Sequence, residues 1–512
     1  MTQPPTRGDG GARAETAPVA PLGAVAAKGS AINAAQWLFN KAMTAAAMLV
    51  LTRLLLPEDY GVASQALAIV QFMVILLPLS MGDVLISHPR RFETLVPTAR
   101  RLALAVGTCT TLVILLAIPL FIGIYDKYPG TWLATLIAIA SLRPTCEAIL
   151  VVPLARLRIG LQFRRIAWID GSIQFVATLS SLMCGWLGLR SASLVAPQIF
   201  GVGARALWYA HSGGAVATAA RPSRRIGWFL LRSYLPAALA QYLHSVLVML
   251  EVLVLGLVAG GFQTGLFAFA FQIAAQLTTV VAYQLAVVLQ PIFGHLNEDP
   301  PRQVAGFLRV QRVLALVCVP LSLMQVVLAE PLFRLAFPDR YLPAITVFQI
   351  VSLAQAFYFA TAPSMSCLRS QRRFGTFLAW QGVQLGLSIP LYWLGARWNG
   401  AIGVAAASAA VWIASAPLVV WLCTRVVPGR LAGAMFAIFV KPWLVSVPVF
   451  AAAHFVVRWC GDQGHTGDIA ALLGVGPLAV VIVLVILARL DPDVRVISAR
   501  ALAKVRSQFS RN

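Results

Sequence analysis

LVLTRLLLPEDYG at residues 49–61 is answered by LVLGLVAGGFQTG at residues 253–265. Leu49-Val50-Leu51 and Gly61 return as Leu253-Val254-Leu255 and Gly265, at a common offset of 204 residues (253 − 49 and 265 − 61). Ala66 and Ile69 keep the same register as Ala270 and Ile273. A looser echo follows. Pro153, Leu157-Arg158 and Arg164-Arg165 are matched by Pro363, Leu368-Arg369 and Arg372-Arg373, and Trp186-Leu187-Gly188 by Trp393-Leu394-Gly395. Both exact copies lie where one long apolar stretch ends and another begins, so the chain reads as two similar halves.

Composition fixes the class. Hydrophobic residues make up 59% and charged residues 11%, with a mean hydropathy of +0.81; a soluble domain carries about 25% charged residues. The chain is therefore expected to be an all-α polytopic membrane protein. Apolar runs of about 20 residues, the length of a spanning helix, recur about fourteen times. Their centres fall near Ala45, Val74, Leu112, Ile139, Val176, Val202, Val246, Ala275, Val319, Val351, Gly386, Ala409, Val447 and Val481.

Arginine sets the direction. Every second connection is basic: Arg90, Arg91, Arg100 and Arg101; Arg156, Arg158, Arg164 and Arg165; Arg221, Arg224, Arg225 and Arg232. The series continues with Arg302, Arg309 and Arg312, with Arg369, Arg372 and Arg373, and with Arg425 and Arg430. The alternate connections hold mostly one cation each, among them Arg53, Lys127 and Arg190. Positive charge collects in cytoplasmic loops, which predicts both ends on the cytoplasmic side of the membrane. A missed span would invert the alternation, so the pattern supports the span count too.

The expected organisation is a disordered cytoplasmic tail (1–28), an N-lobe of spans 1–6 (29–212) and a cytoplasmic linker (213–226). A C-lobe of spans 7–12 (227–424), spans 13 and 14 (434–489) and a basic cytoplasmic tail (490–512) follow. The tail at 1–28 has the Pro, Gly and Ala bias of disorder and lacks the apolar core of a signal peptide. Spans 1 and 7 are an even number of crossings apart, so the lobes form parallel repeats about an axis along the membrane normal. A substrate cleft between such halves is a common plan for secondary transporters.

The net charge of +22 needs no nucleic acid. Most of it lies in loops facing anionic lipid headgroups. The seven cysteines form no CxxC pair and fall mostly inside spans, so neither a disulfide framework nor a metal site is expected. No GxxxxGK[ST] motif, zinc-ligand cluster or nucleophile elbow is present, and Asp and Glu total only 18. An enzyme is disfavoured and no cofactor is expected.

Ionisable groups at membrane depth are costly and usually face a protein interior or a wet cavity. Lys41, beside Asn40, sits near the middle of span 1. It has no acidic partner on its own helix, since Trp37, Leu38, Thr44 and Ala45 flank it. Arg143 and Glu147 share a face of span 4, with Pro144 between them. Asp170 opens span 5, Arg205 lies in span 6, His244 and Glu251 lie in span 7, and Gln272 and Gln276 lie four apart in span 8. Asn40 and His244 are related by the repeat offset (244 − 40), which places a polar residue at one depth in both lobes. Arg143 with Glu147 reads equally as a structural ion pair, and Asp170 reads first as an interfacial residue.

LTRLLLPEDYG at 51–61 resembles the first periplasmic turn of bacterial polysaccharide transporters, and VVPLARLRIGLQFRR at 151–165 resembles their cytoplasmic turn after span 4. These are the Wzx-type flippases of the multidrug/oligosaccharidyl-lipid/polysaccharide exporter superfamily, and the resemblance covers residues 30–425. It implies two six-helix bundles plus two extra helices. It also implies an undecaprenyl-diphosphate-linked oligosaccharide as substrate, with a polysaccharide polymerase and export machinery as protein partners. On that reading Lys41, Arg143 and Arg205 supply positive potential for the diphosphate. Asn40, His244, Gln272 and Gln276 hydrogen-bond sugar hydroxyls, while Glu251 and, more weakly, Asp170 are the coupling-ion candidates. A lipid II flippase, a multidrug/cation antiporter of the same superfamily and a non-transporting scaffold of a polysaccharide assembly complex remain open alternatives.

Overall fold

The computed structural model describes residues 22–74, 80–88, 91–160, 162–212, 222–276, 299–371, 373–425 and 431–490, and among these the regular structure is helical throughout. In lipid each backbone amide and carbonyl must be satisfied within its own segment, and an apolar helix does that. Eight helices among the described residues are long and apolar enough to cross a membrane. Further apolar helices accompany them.

The first half contains α1 (Leu22–Leu54), α2 (Pro57–Met73), α3 (Ser80–Ser87), α4 (Phe92–Ile124), α5 (Gly130–Ala140), α6 (Arg143–Ile159), α7 (Phe163–Trp186) and α8 (Ala192–Ser212). The second contains α9 (Arg224–Val258), α10 (261–276), α11 (Pro300–Val327), α12 (Ala329–Ala336), α13 (Ala344–Tyr358), α14 (Thr361–Ser370) and α15 (Phe374–Thr424). Beyond them lie α16 (Leu431–Phe439), α17 (Lys441–Gly461), α18 (His465–Ala470) and α19 (Gly476–Leu490). α1–α8 are termed the N-lobe and α9–α15 the C-lobe.

Several spans expected as single helices are broken, for local reasons. Pro144 interrupts span 4 at the α5–α6 junction because it has no amide to donate. Thr111 Oγ1 donates to the Ser141 carbonyl there (2.7 Å). Pro442 opens α17 after α16 in the same way. α15 holds both spans 11 and 12, joined where Asn399 and Gly400 leave helical geometry. Gly395 and Gly403 then let the two legs touch backbone to backbone, since a Cβ at either would fall within 2.4 Å of the other's carbonyl oxygen.

α1 starts at Leu22, so the segment Leu22–Lys28, expected as tail, extends span 1; its Ala-rich composition favours helix over coil. The rest of that tail, most of the linker and the basic C-terminal tail lie outside the described residues.

Candidate functional site

The two repeat glycines found in the sequence meet each other. A Cβ at Gly61 would lie 1.9 Å from the Gly261 carbonyl oxygen and 3.0 Å from the Gly265 amide. One at Gly265 would lie 1.7 Å from the Pro57 carbonyl oxygen and 3.0 Å from the Gly61 amide. α2 and α10 therefore cross in backbone contact at symmetry-equivalent positions, as an axis between the halves requires. The turns around this crossing are stitched together across the lobes. Tyr128 donates to Thr264 Oγ1 (3.1 Å), Tyr125 to the Leu253 carbonyl (3.3 Å) and Lys127 to the Val258 carbonyl. Arg340 donates to the carbonyls of Thr52 (2.8 Å) and Arg53 (2.7 Å), and Tyr341 to that of Leu55 (2.9 Å). Tyr341 and Tyr60 pack with Phe269 beneath. Burial pushes the Tyr125 phenol up to about 12, so it stays a neutral donor. The lobes are thus closed at the end of the molecule poor in arginine.

Toward the basic end the lobes share α9, whose Leu230 and Ala238 join a cluster with Met81, Leu95, Ala99 and Val151 of the N-lobe. Tyr242 also donates to the Phe72 carbonyl of α2 (3.1 Å).

Two cavities of opposite character flank α1 below the closed end. The first, about 90 Å³, lies among α1, α7 and α8. Seven of its thirteen lining residues are polar and none is charged: Thr44, Tyr60, Gln174, Thr178, Ser181, Gln198 and Gln272. The second, about 420 Å³, lies between α1 and the C-lobe and reaches Leu472 and Pro477 near the start of α19. Its lining is apolar except for Gln276 and Gln325. Met48 lines both. Lys41 is half-buried on α1, one turn from Thr44 of the first cavity and Ala45 of the second.

The remaining sequence candidates scatter. Asn40 lies beside Lys41, its side-chain oxygen buried without a hydrogen-bond partner. His244 is half-buried on α9. Gln272 and Gln276, four apart on α10, line different cavities. Arg143 pairs with Glu147 at 2.8 Å, with Glu147 buried. Arg205, assigned to the diphosphate, faces Asp170, a coupling-ion candidate, at 3.3 Å. The contact is an ion pair without hydrogen-bond alignment, and Tyr209 also donates to Asp170 (3.1 Å). Glu251 lines neither cavity. It is 2% exposed inside the C-lobe, where Ser408 and Tyr392 (3.4 Å) of α15 donate to one carboxylate oxygen.

The polar set on α7 and α8 escaped the sequence reading. Gln174, Thr178 and Ser181 recur at helical spacing on one face of an otherwise apolar span, a signal available in the sequence but shared by many helix–helix contacts.

The profile of the family described as "Polysaccharide biosynthesis protein" matches residues 50–346, more than half of the 512 residues. The chain belongs to that family. Within it, the chain is similar to an "Uncharacterized membrane protein in cps region" of Klebsiella pneumoniae, 22% identical over 148 residues. That match covers 29% of this chain and spans 30% of the relative's length. The fold of this polysaccharide biosynthesis protein resembles the lipid II flippase MurJ in an inward closed conformation, with a TM-score of 0.69 at 13% identity over 89% of this chain and 98% of the other. It also resembles an inward-facing multidrug resistance MATE family transporter of the MOP superfamily, with a TM-score of 0.59 at 13% identity over 78% and 95% of the two chains. The chain is thus a multi-pass membrane protein of polysaccharide biosynthesis whose fold resembles those two transporters.

Proposed function

We propose that the protein flips undecaprenyl-diphosphate-linked oligosaccharides from the cytoplasmic to the periplasmic leaflet of a bacterial inner membrane, by alternating opening of the two lobes. The observation that carries this reading is the pair of cavities flanking α1. An apolar cavity and an uncharged polar one share the wall at Met48, with Lys41 one turn away. A lipid-linked glycan has the same three parts: an apolar chain, an anionic link and polar sugars. The apolar cavity suits isoprenoid carbon, Lys41 supplies the cation for the diphosphate, and the amides and hydroxyls match sugars.

The basic end is then cytoplasmic, and the molecule is caught closed to the periplasm. The lobes at 29–212 and 227–424 are the rocking units, and of spans 13 and 14 (434–489) the second completes the apolar cavity through Leu472 and Pro477. Glu251 is the coupling-ion candidate: it lies between span 7 and spans 11 and 12, where protonation or a cation changes its hydrogen bonds to Ser408 and Tyr392.

The test is the sidedness of lipid-linked oligosaccharide in cells lacking the protein, read with a membrane-impermeant glycan probe on spheroplasts. Units held on the cytoplasmic face, with loss of surface polymer, support the flippase. Units reaching the periplasmic face as usual overturn it and bring drug export or a scaffold role forward.

A further inference from the structure

We propose that the polar cavity on the N-lobe side of α1 is a subsite for one uncharged pyranose of the translocated glycan, and that it excludes acidic sugars. The proposal deepens the flippase reading and rests on it for the class of molecule transported.

Size comes first. About 90 Å³ is the room of about three waters at roughly 30 Å³ each. That admits the edge of a single pyranose with its exocyclic arm.

Chemistry comes next. Pro197 cannot donate to the Ser193 carbonyl, and Ser181 Oγ donates to it instead (2.6 Å). Thr178 donates to the Gln174 carbonyl (2.8 Å), and Thr44 to that of Asn40 (2.8 Å). These hydroxyls are committed to backbone. What faces the cavity for a ligand is the amides of Gln198 and Gln272 and that of Gln174, whose N–H also reaches Thr178 Oγ1 (3.4 Å). Each amide offers both a donor and an acceptor, as a sugar hydroxyl does. Behind this lining the Tyr60 hydroxyl is buried, on a residue only 4% exposed, with no hydrogen bond among the described residues. Ala47, Met48 and Leu51 supply an apolar wall for ring C–H groups.

Charge decides the selectivity. With no cation in the lining, a uronate carboxylate entering here would be desolvated with no opposite charge against it, which is costlier than burying a hydroxyl. Gln272 is the lining residue contributed by the C-lobe, so lobe separation removes one wall and lets the sugar go.

The test uses the full-length protein in lipid nanodiscs and ligand-observed saturation-transfer NMR, with methyl glucopyranoside, methyl N-acetylglucosaminide and methyl glucuronopyranoside as probes. A signal from at least one neutral glycoside and none from the uronoside is expected. Gln198→Leu and, independently, the cavity-filling Ala177→Leu should each abolish the neutral signal, at unchanged protein abundance and melting temperature. Gln198→Arg should admit the uronoside. Equal or stronger signal from the uronoside on the unaltered protein overturns the proposal, as does a neutral signal that survives both Gln198→Leu and Ala177→Leu. Absence of signal from every probe overturns it too. Failure of the spheroplast sidedness test would instead overturn the flippase reading, whatever the NMR shows.

Discussion

Gly61→Ala adds one methyl where α2 crosses α10, and the structure sets what it must do. The new carbon would lie 1.9 Å from the Gly261 carbonyl oxygen, and that of Gly265→Ala 1.7 Å from the Pro57 carbonyl oxygen. Real Cβ contacts essentially never fall below 3.0 Å, so the two backbones must part by more than 1 Å (3.0 − 1.9 and 3.0 − 1.7). Backbone has no rotamer with which to yield. Overpacking of this kind costs about 1–3 kcal/mol. The cost falls on the arrangement seen here, in which the two helices touch, and an opening that parts them would relieve it. A change of about 1–3 kcal/mol is about 5- to 150-fold in the equilibrium between closed and open states. Helix propensity works the other way, since Ala is favoured over Gly by about 1 kcal/mol within a helix, so a weakened α2 cannot be the cause. The assay is labelling of a cysteine introduced as Gln272→Cys, beneath the crossing, by a membrane-impermeant maleimide added to spheroplasts. Labelling should rise several-fold in Gly61→Ala and Gly265→Ala at normal abundance. It should not rise in Gly386→Ala, a helical position where a Cβ meets nothing within 4 Å. Unchanged labelling in both crossing variants would refute the argument that this contact holds the lobes shut.

Other consequences can be checked alongside. Lys41→Arg should retain polymer export and Lys41→Gln should reduce it at least about tenfold at equal abundance, because the diphosphate would lose a charge-assisted hydrogen bond worth about 1.5–3 kcal/mol. Arg205→Gln leaves Asp170 without its partner and should lower the melting temperature, while Arg205→Gln with Asp170→Asn should recover part of it, as expected when a half-removed pair costs more than its full removal. Glu251→Gln should fold normally, since an amide still accepts from Ser408 and Tyr392, yet lose export driven by an imposed ion gradient in vesicles. Gly395→Ala should destabilise the whole protein by about 1–3 kcal/mol in thermal melts, because Gly395 and Gly403 hold spans 11 and 12 together within one lobe.

How much of this was legible in the sequence follows from the range of each interaction. The helical class, the apolar spans and the alternation of basic loops are properties of consecutive residues. Lipid leaves a long apolar segment one way to satisfy its backbone, so these could be read directly. All fourteen centres read from the sequence lie in described helices or at their caps and junctions: Val74 caps α2, and Ile139 sits at the end of α5 before the Pro144 break. Arg143 and Glu147 were legible as a pair because a helix fixes residues four apart on one face.

The site was legible only in part. Gly61 and Gly265 could be matched by their spacing, but that they touch depends on how two lobes pack. Arg205 and Asp170 looked like separate groups with separate roles; α7 and α8 bring them to 3.3 Å and commit each to the other. Tyr60 drew no reading from the sequence, and packing with Phe269 and Tyr341 buries it with its hydroxyl unpartnered among the described residues. Sequence by itself determined the membrane class and the repeat, because hydropathy and residue spacing are properties of consecutive residues along the chain. Tertiary structure alone decided which polar groups are consumed by one another and which are left facing a cavity, because hydrogen bonds and ion pairs are settled by distances between helices far apart in sequence.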